Sequence, residues 1–463
     1  MNELEAFYRI ADLYARVDKH EKLKAFVQDF IDILPKNTAG FDVLCYCYYK
    51  AKDYKNAIYY GEMALGASTG DAADAIRFNL GKCYLNANEP YKSRNCFDIL
   101  CKLHPERLDI KLDLAAALFA CNQKDEAKEL LIRLDEESWK FDKREESAIR
   151  FNLAAYLFKD GDFKLGMKYL SLGRQLRVFG ADTHNYPIPK WDGSTNTGKH
   201  ILIVGEGGIG DEIINARFAK HINDRGMKAS FASCQGMASV FSKLPFETTQ
   251  NYTKFTTDIK NIIDYDYWTP AMSLPEVLDL SAPDLWYGPY LLPDDKHNIK
   301  WANRLTGEVK VGLRWSGNPL YEQDLHRSIS LEQLYDIVPS RWTKYSIQKE
   351  NTAILAQYPD ITNLENELET FDDTIACLSN LDIVITSCTS VAHAAAALDK
   401  KVFLMVPIME YYTWAEGREQ SSWYGENLTI IRQSTPKNWD SAYTTLREKI
   451  QALTLCTKQV MYG

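Results

Sequence analysis

The sequence predicts an all-α repeat solenoid followed by an α/β half built from two doubly wound parallel sheets. Small residues recur at 11, 45, 81, 115 and 154, at steps of 34, 36, 34 and 39. From Lys199 onward, short apolar runs alternate with helical stretches, the pattern of a parallel sheet covered by crossover helices. Glycine-bearing turns follow two of those runs, at Gly205–Gly210 and at Gly317, where open α/β folds place their ligands.

The repeat shows best when Ala11-Asp-Leu-Tyr14, Cys45-Tyr-Cys-Tyr48, Gly81-Lys-Cys-Tyr84, Ala115-Ala-Ala-Leu118 and Ala154-Ala-Tyr-Leu157 are aligned. A second small residue follows twelve later at Ala57, Ser93, Ala127 and Gly166, and Pro35 and Pro105 each close a unit. Small residues let two antiparallel helices approach, and proline breaks the second helix. The segment resembles the tetratricopeptide repeat. Five such units over 1–175 imply about ten helices. Solenoids of this kind bind partners on a concave face, and dimerisation is the alternative role. Residues 176–198, broken by Pro187, Pro189 and Gly193, read as a linker pinned by Trp191.

The α/β half divides at a proline-rich stretch from Pro270 to Pro293 into parts spanning 199–300 and 301–463. Expected strands are 201–204, 229–232, 261–264, 309–314, 342–347, 383–386, 402–406 and 428–431. A final helix from Trp439 to Leu455 is expected to pack back across the first sheet. Apolar residues make up 46% and charged residues 25%, an ordinary soluble composition, and a net charge of −9 excludes gripping nucleic acid by bulk electrostatics. Ten cysteines lie without CxxC spacing, which reads as reduced core thiols of a cytoplasmic chain; no apolar run approaches the ~20 residues of a membrane span.

Chemistry concentrates at strand ends. The run Ile201–Val204 enters Gly205-Glu-Gly-Gly-Ile-Gly-Asp-Glu212, a turn that opens a helix with Asp211 at its mouth. Unpaired N–H groups there favour an anion, so a phosphate-bearing ligand is one reading and a plain structural turn the other. After Val311-Gly-Leu-Arg314, the loop carrying Ser316, Gly317 and Pro319 leads to Arg327; both arginines suit phosphate oxygens or surface ion pairs. Gln348, Lys349 and Glu350 end another strand, where Lys349 suits a diphosphate and Glu350 a ribose hydroxyl, or both belong to a solvated charge run. Thr389, Ser390 and Val391 begin an alanine-rich helix and offer N–H groups and hydroxyls to an anion. His393, in the first turn, faces either that ligand or the neighbouring loop.

These motifs occur in a fixed order: Gly205–Glu212, Val311–Pro319, Arg327-Ser-Ile329, Ser346-Ile-Gln-Lys-Glu350, Thr389-Ser-Val-Ala-His393, then Trp414, Arg418 and Ser422-Trp-Tyr424. The set resembles the tetratricopeptide-repeat glycosyltransferases of bacteria and phages. Their catalytic half is similar to lipopolysaccharide heptosyltransferases and, more distantly, to protein O-linked N-acetylglucosamine transferases. The resemblance implies a GT-B fold, with 199–300 on the acceptor side and 301–463 holding a nucleotide sugar, and no obligatory metal or other cofactor. It places Asp211 at the general base and Thr389–Val391 at the diphosphate loop, with Lys349 as a phosphate partner. Read from their own chemistry, Gly210, Arg314, Ser316, Arg327, Gln348 and Glu350 complete the candidate donor-binding set. His393 joins Asp211 as a catalytic candidate. Heptosyltransferases carry an aspartate where this chain has Cys388, a departure that argues against heptose as the donor sugar and leaves the diphosphate site unaffected.

The expected activity is therefore sugar transfer from a nucleotide diphosphate sugar to a hydroxyl of a protein, glycan or modified nucleobase. Two rivals are a repeat scaffold whose transferase half no longer turns over, and a dinucleotide oxidoreductase suggested by the glycine turn. Against the latter, no acidic residue closes the run Ala229–Ala232, where a ribose-binding carboxylate belongs.

Overall fold

The computed structural model describes residues 3–17, 19–175, 186–244, 246–251 and 259–462. Ten α-helices from Glu3–Arg16 to Phe163–Gln175 form the amino-terminal half, as the periodicity requires. The aligned small residues sit where helices meet: Ala11, Cys45, Ala115 and Ala154 are buried, as are Ala57, Ser93 and Ala127. At Gly81 a Cβ would lie 2.6 Å from the Phe97 ring, and at Gly166 2.6 Å from Phe158. Seven residues after the small position, the turn carries a positive φ at Lys52, Asn88, Asn122 and Gly161, so the repeat extends to turn geometry.

Two compact units contain the described residues. The first comprises Met1–Glu136 with two short segments from far along the chain, Asn318–His326 and Ser434–Asn438. Within it, the repeated turns hold those segments. Lys52 donates to the Leu320 carbonyl, Asn88 to Leu325 at 3.3 Å and Asn122 to Ser434 at 2.9 Å. His326 lies buried, 2.7 Å from the Leu85 carbonyl, and burial lowers its pKa; its Nε2 therefore carries the proton and donates.

The second unit holds Glu137–Gly317, Arg327–Gln433 and Trp439–Gly463. Its four-stranded sheet is built from β1 (His200–Val204), β2 (Lys228–Ser233), β3 (Glu247–Asn251) and β4 (Tyr267–Pro270), in the order β3-β2-β1-β4. The six-stranded sheet has β5 (Lys310–Arg314), β6 (Thr343–Ser346), β7 (Ile361–Asn363), β8 (Ile383–Ser387), β9 (Lys401–Val406) and β10 (Leu428–Arg432), in the order β10-β9-β8-β5-β6-β7. All pairings are parallel. The chain reverses its direction of travel at β1 between β2 and β4, and again between β5 and β8. Crevices at the carboxyl ends of such switch points are where open sheets bind ligands.

Two expectations need correction. The run 261–264 is a short helical turn, Ile262–Asp264, entered through a left-handed Asn261; the fourth strand forms at Tyr267–Pro270, which pairs with β1. The terminal helix, Asp440–Tyr462, packs on the six-stranded sheet rather than the first: Ala442, Tyr443, Leu446 and Ile450 share a core with Val311, Leu313, Ile385 and Phe403. In the linker, where it is described, Trp191 is buried and exchanges backbone contacts with β4, donating to the Trp268 carbonyl at 2.8 Å; its portion 176–185 lies outside the described residues.

Candidate functional site

The first wall starts from β1, whose apolar run is buried as a central parallel strand should be. The chain then turns through Gly207 (φ +73), where a Cβ would meet the Asp211 carboxylate at 2.4 Å, into the helix Ile209–Ala216. Asp211 closes that helix start on itself: Oδ2 accepts the Gly208 N–H at 2.6 Å, and Oδ1 accepts the hydroxyl of Tyr411. Burial and the Asp211 charge push the Tyr411 phenol well up, so it remains protonated and donates.

Two neighbouring carboxylates hold the turn. Glu206 is buried in an ion pair with Arg174 of the last repeat helix and accepts the Met272 N–H at 3.2 Å. Glu212, fully buried, accepts from the Ser233 hydroxyl and from the Cys234 N–H at 2.6 Å; burial pushes its pKa up. They join the ends of β1, β2 and β4, which leaves Asp211 as the carboxylate facing the second sheet.

The second wall is the switch point between β5 and β8. Thr389, in extended conformation, caps the helix Ser390–Ala397, and its hydroxyl makes no bond to the first turn. Arg327 Nη1 donates to the Cys388 carbonyl at 2.9 Å, which fixes a guanidinium beside that helix start. Arg314 donates to the Ile347 carbonyl at 3.1 Å and pairs with Glu350 at 3.3 Å. Gln348 is fully buried and spent on the loop: its Oε1 accepts from the Trp315 and Ser316 N–H groups, both at 3.2 Å, and its amide donates to Ser316 Oγ at 2.8 Å. Lys349 is exposed and turned to the segment after β7, donating to the carbonyls of Glu365 and Leu368 at 2.8 Å each.

The two walls meet through their helices. A Cβ on Gly210 would stand 3.1 Å from His393 Cδ2 and 3.6 Å from Ser390 Cα, so the first turns of Ile209–Ala216 and Ser390–Ala397 lie against each other. His393 is 4% exposed, stacked on Trp414 at 4.8 Å and 2.8 Å from the Tyr424 hydroxyl. Burial, then the Arg217 charge, lowers its pKa to about 3, so the ring is neutral. Its placement fits a packing element between the walls, with Val391 buried beside it. The Cys388 thiol accepts from Trp414 Nε1 at 3.2 Å, and burial pushes it up, away from reactivity.

Structure thus gathers Asp211, Gly210, Arg327, Thr389, Ser390 and Val391 at one end of the two sheets, with Arg314 and Ser316 one strand away, and turns Gln348 and Lys349 to other partners. Two participants escaped the sequence. Tyr411, the partner of Asp211, lies in a loop with no periodic signal. Arg217 is buried, donating to the carbonyls of Ile214 at 2.8 Å, Leu285 at 3.2 Å and Trp423, between the rings of Tyr290 and Tyr424. Among the described residues no group of three or more His, Cys, Asp or Glu side chains converges as a metal site, and no helix is long and apolar enough to cross a membrane.

No protein-family model matches the chain, and no curated protein matches it in sequence. Solved structures do align. ADP-heptose lipopolysaccharide heptosyltransferase II of E. coli matches at 14% identity over 56% of this chain and 99% of its own, with a TM-score of 0.41. A mutant Thermobaculum terrenum O-GlcNAc transferase matches at 12% identity over 98% and 94%, TM-score 0.36. The TPR-like repeats of a Podosopora anserina kinesin light chain match at 16% identity over 38% and 95%, TM-score 0.32. At these identities and scores the chain is similar to each in outline, and none of them assigns it an activity.

Proposed function

We propose that the chain is a glycosyltransferase of GT-B arrangement that moves a sugar from a nucleotide diphosphate sugar to a hydroxyl acceptor. The observation that carries this reading is the side-by-side packing, through Gly210, of a helix start bearing a carboxylate and a helix start bearing free N–H groups beside Arg327. The N–H groups of Ser390 and Val391 and the Arg327 guanidinium suit a departing diphosphate, whose charge grows as the glycosidic bond breaks. Asp211 suits removal of the acceptor's proton as its oxygen attacks the anomeric carbon. In that reading Tyr411 must yield Oδ1 to the acceptor, His393 positions the two helices, and residues 199–300 and 301–463 serve acceptor and donor. No metal is required by this scheme, because the helix start and Arg327 supply the positive charge.

A second reading has its own support: both Asp211 oxygens are already engaged, by Gly208 and Tyr411, which suits a repeat scaffold whose transferase half binds a nucleotide without turnover. A panel of nucleotide diphosphate sugars, read by release of free nucleoside diphosphate, separates the two. Asp211→Asn should keep donor binding and lower turnover by about 10²–10⁴-fold, the usual share of a general base. Normal turnover in Asp211→Asn refutes the base assignment, and silence across the whole panel favours the scaffold.

A further inference from the structure

A cavity of about 530 Å³ opens at the other end of the Ser390–Ala397 helix from Thr389, between the segment around Trp286 and the loop before β10. That volume lies within the ~300–1,000 Å³ usual for small-molecule sites. Gly425 is one of its lining residues. A Cβ built there would stand 3.1 Å from Trp286 Nε1 and 3.2 Å from Asp399 Oδ1, so an indole N–H and a carboxylate oxygen converge on the space that the absent side chain leaves. Neither atom has a hydrogen-bond partner among the described residues. Trp286 is held by packing on Tyr290 and Tyr424 at 6.3 and 5.8 Å, and the backbone of Asp399, an exposed residue, is fixed in a left-handed turn whose carbonyl accepts from Asn427 at 3.2 Å. Glu426 and Arg418, whose guanidinium is paired with Glu416, line the rim.

We propose that this cavity binds a saccharide, distinct from any sugar handled at Asp211. A hydroxyl is donor and acceptor at once, so a ligand dense in such groups can pair with the indole N–H and the Asp399 carboxylate together. The indole ring beside them offers an apolar surface for the C–H face of a pyranose. A phosphorylated ligand is disfavoured by Asp399 and Glu426, an ammonium, which only donates, by the donating indole, and an apolar ligand by the polar wall. The inference stands on the cavity alone and holds whether or not the Asp211 cleft transfers sugar.

The test is isothermal titration of the full-length chain with maltose, lactose and N,N′-diacetylchitobiose, without nucleotide. The wild-type protein should bind at least one of them. Trp286→Phe, which keeps the ring packing and removes the N–H, and Asp399→Asn, which tolerates the left-handed backbone, should each weaken that binding at least five-fold. Gly425→Val should abolish it, with thermal unfolding of the two milder variants checked to show that the fold survives. Binding that the three variants leave unchanged places the sugar elsewhere and overturns the proposal, as does the absence of binding to all three probes.

Discussion

Replacing Arg217 by Met removes a buried cation that joins three segments of the second unit. Its guanidinium donates to the carbonyls of Ile214, Leu285 and Trp423 and lies 4.6 Å from the Tyr290 ring and 4.5 Å from Tyr424. Charge-assisted hydrogen bonds contribute about 1.5–3 kcal/mol each, and orphaned buried carbonyls cost about 1–3 kcal/mol. Met recovers the desolvation of the charge, several kcal/mol, and fills much of the volume. The carbonyls, however, remain and have no donor in a thioether, so the balance falls about 3–5 kcal/mol on the side of destabilisation, as when one partner of a buried polar pair is deleted. For a unit of this size that lowers the thermal midpoint by roughly 5–8 °C. Urea unfolding followed by tryptophan emission suits the case, because Trp414 and Trp423 are both fully buried within contact of this region. Arg217→Lys, a point charge without the planar fork, should recover only part of the loss. A stability for Arg217→Met within about 1 kcal/mol of wild type would show that the three carbonyls do not depend on the guanidinium.

Three further outcomes are expected. Asp373 is desolvated, which alone would raise its pKa, but the Lys300 ammonium at 2.7 Å, Trp301 Nε1 at 3.0 Å and Thr370 hold it below the usual carboxylate range; its stabilising contribution is full above the unfolded value near ~4 and is lost as pH falls through the folded pKa, so Asp373→Asn should flatten the acid limb of urea midpoints measured from pH 7 downward. Gly81→Ala should destabilise the repeats by about 1–2 kcal/mol, since overpacking against the Phe97 ring exceeds the ~1 kcal/mol gained in helix propensity, and Phe97→Leu should relieve part of it in a double-mutant cycle. Asn88→Gly keeps the positive φ and loses only the bond to Leu325, whereas Asn88→Ala loses both, so the two should differ by about 1 kcal/mol in thermal unfolding of the first unit.

The repeat array was legible because its signal is steric and local: a small residue at each helix crossing recurs in register, and Ala11, Cys45, Gly81, Ala115 and Ala154 are all at such crossings. The sheets were legible where strands are buried on both faces. Strand β3, with the sequence Glu-Thr-Thr-Gln-Asn, carries no apolar run and was missed, and Asn261–Asp264 mimicked a strand through two isoleucines. At the candidate site the glycine turn and the Thr389 helix start were readable, since backbone geometry leaves a trace in glycine and N-cap residues. Side-chain destinations were not. Lys349 turns to carbonyls after β7, Gln348 to the Ser316 loop and His393 inward onto Trp414, each decided by contacts more than fifteen residues away.

The left-handed turns at Lys52, Asn88 and Asn122 serve as evenly spaced pegs for two stretches that branch from the loops after β5 and β10. Three attachment points fixed to consecutive modules make the array a ruler rather than a flexible string. Inserting or excising a module between Lys52 and Asn122 would leave one tethered stretch a full repeat out of step, while lengthening ahead of Lys52 would disturb neither. Variation in module number among chains of this design should therefore collect at the amino-terminal end.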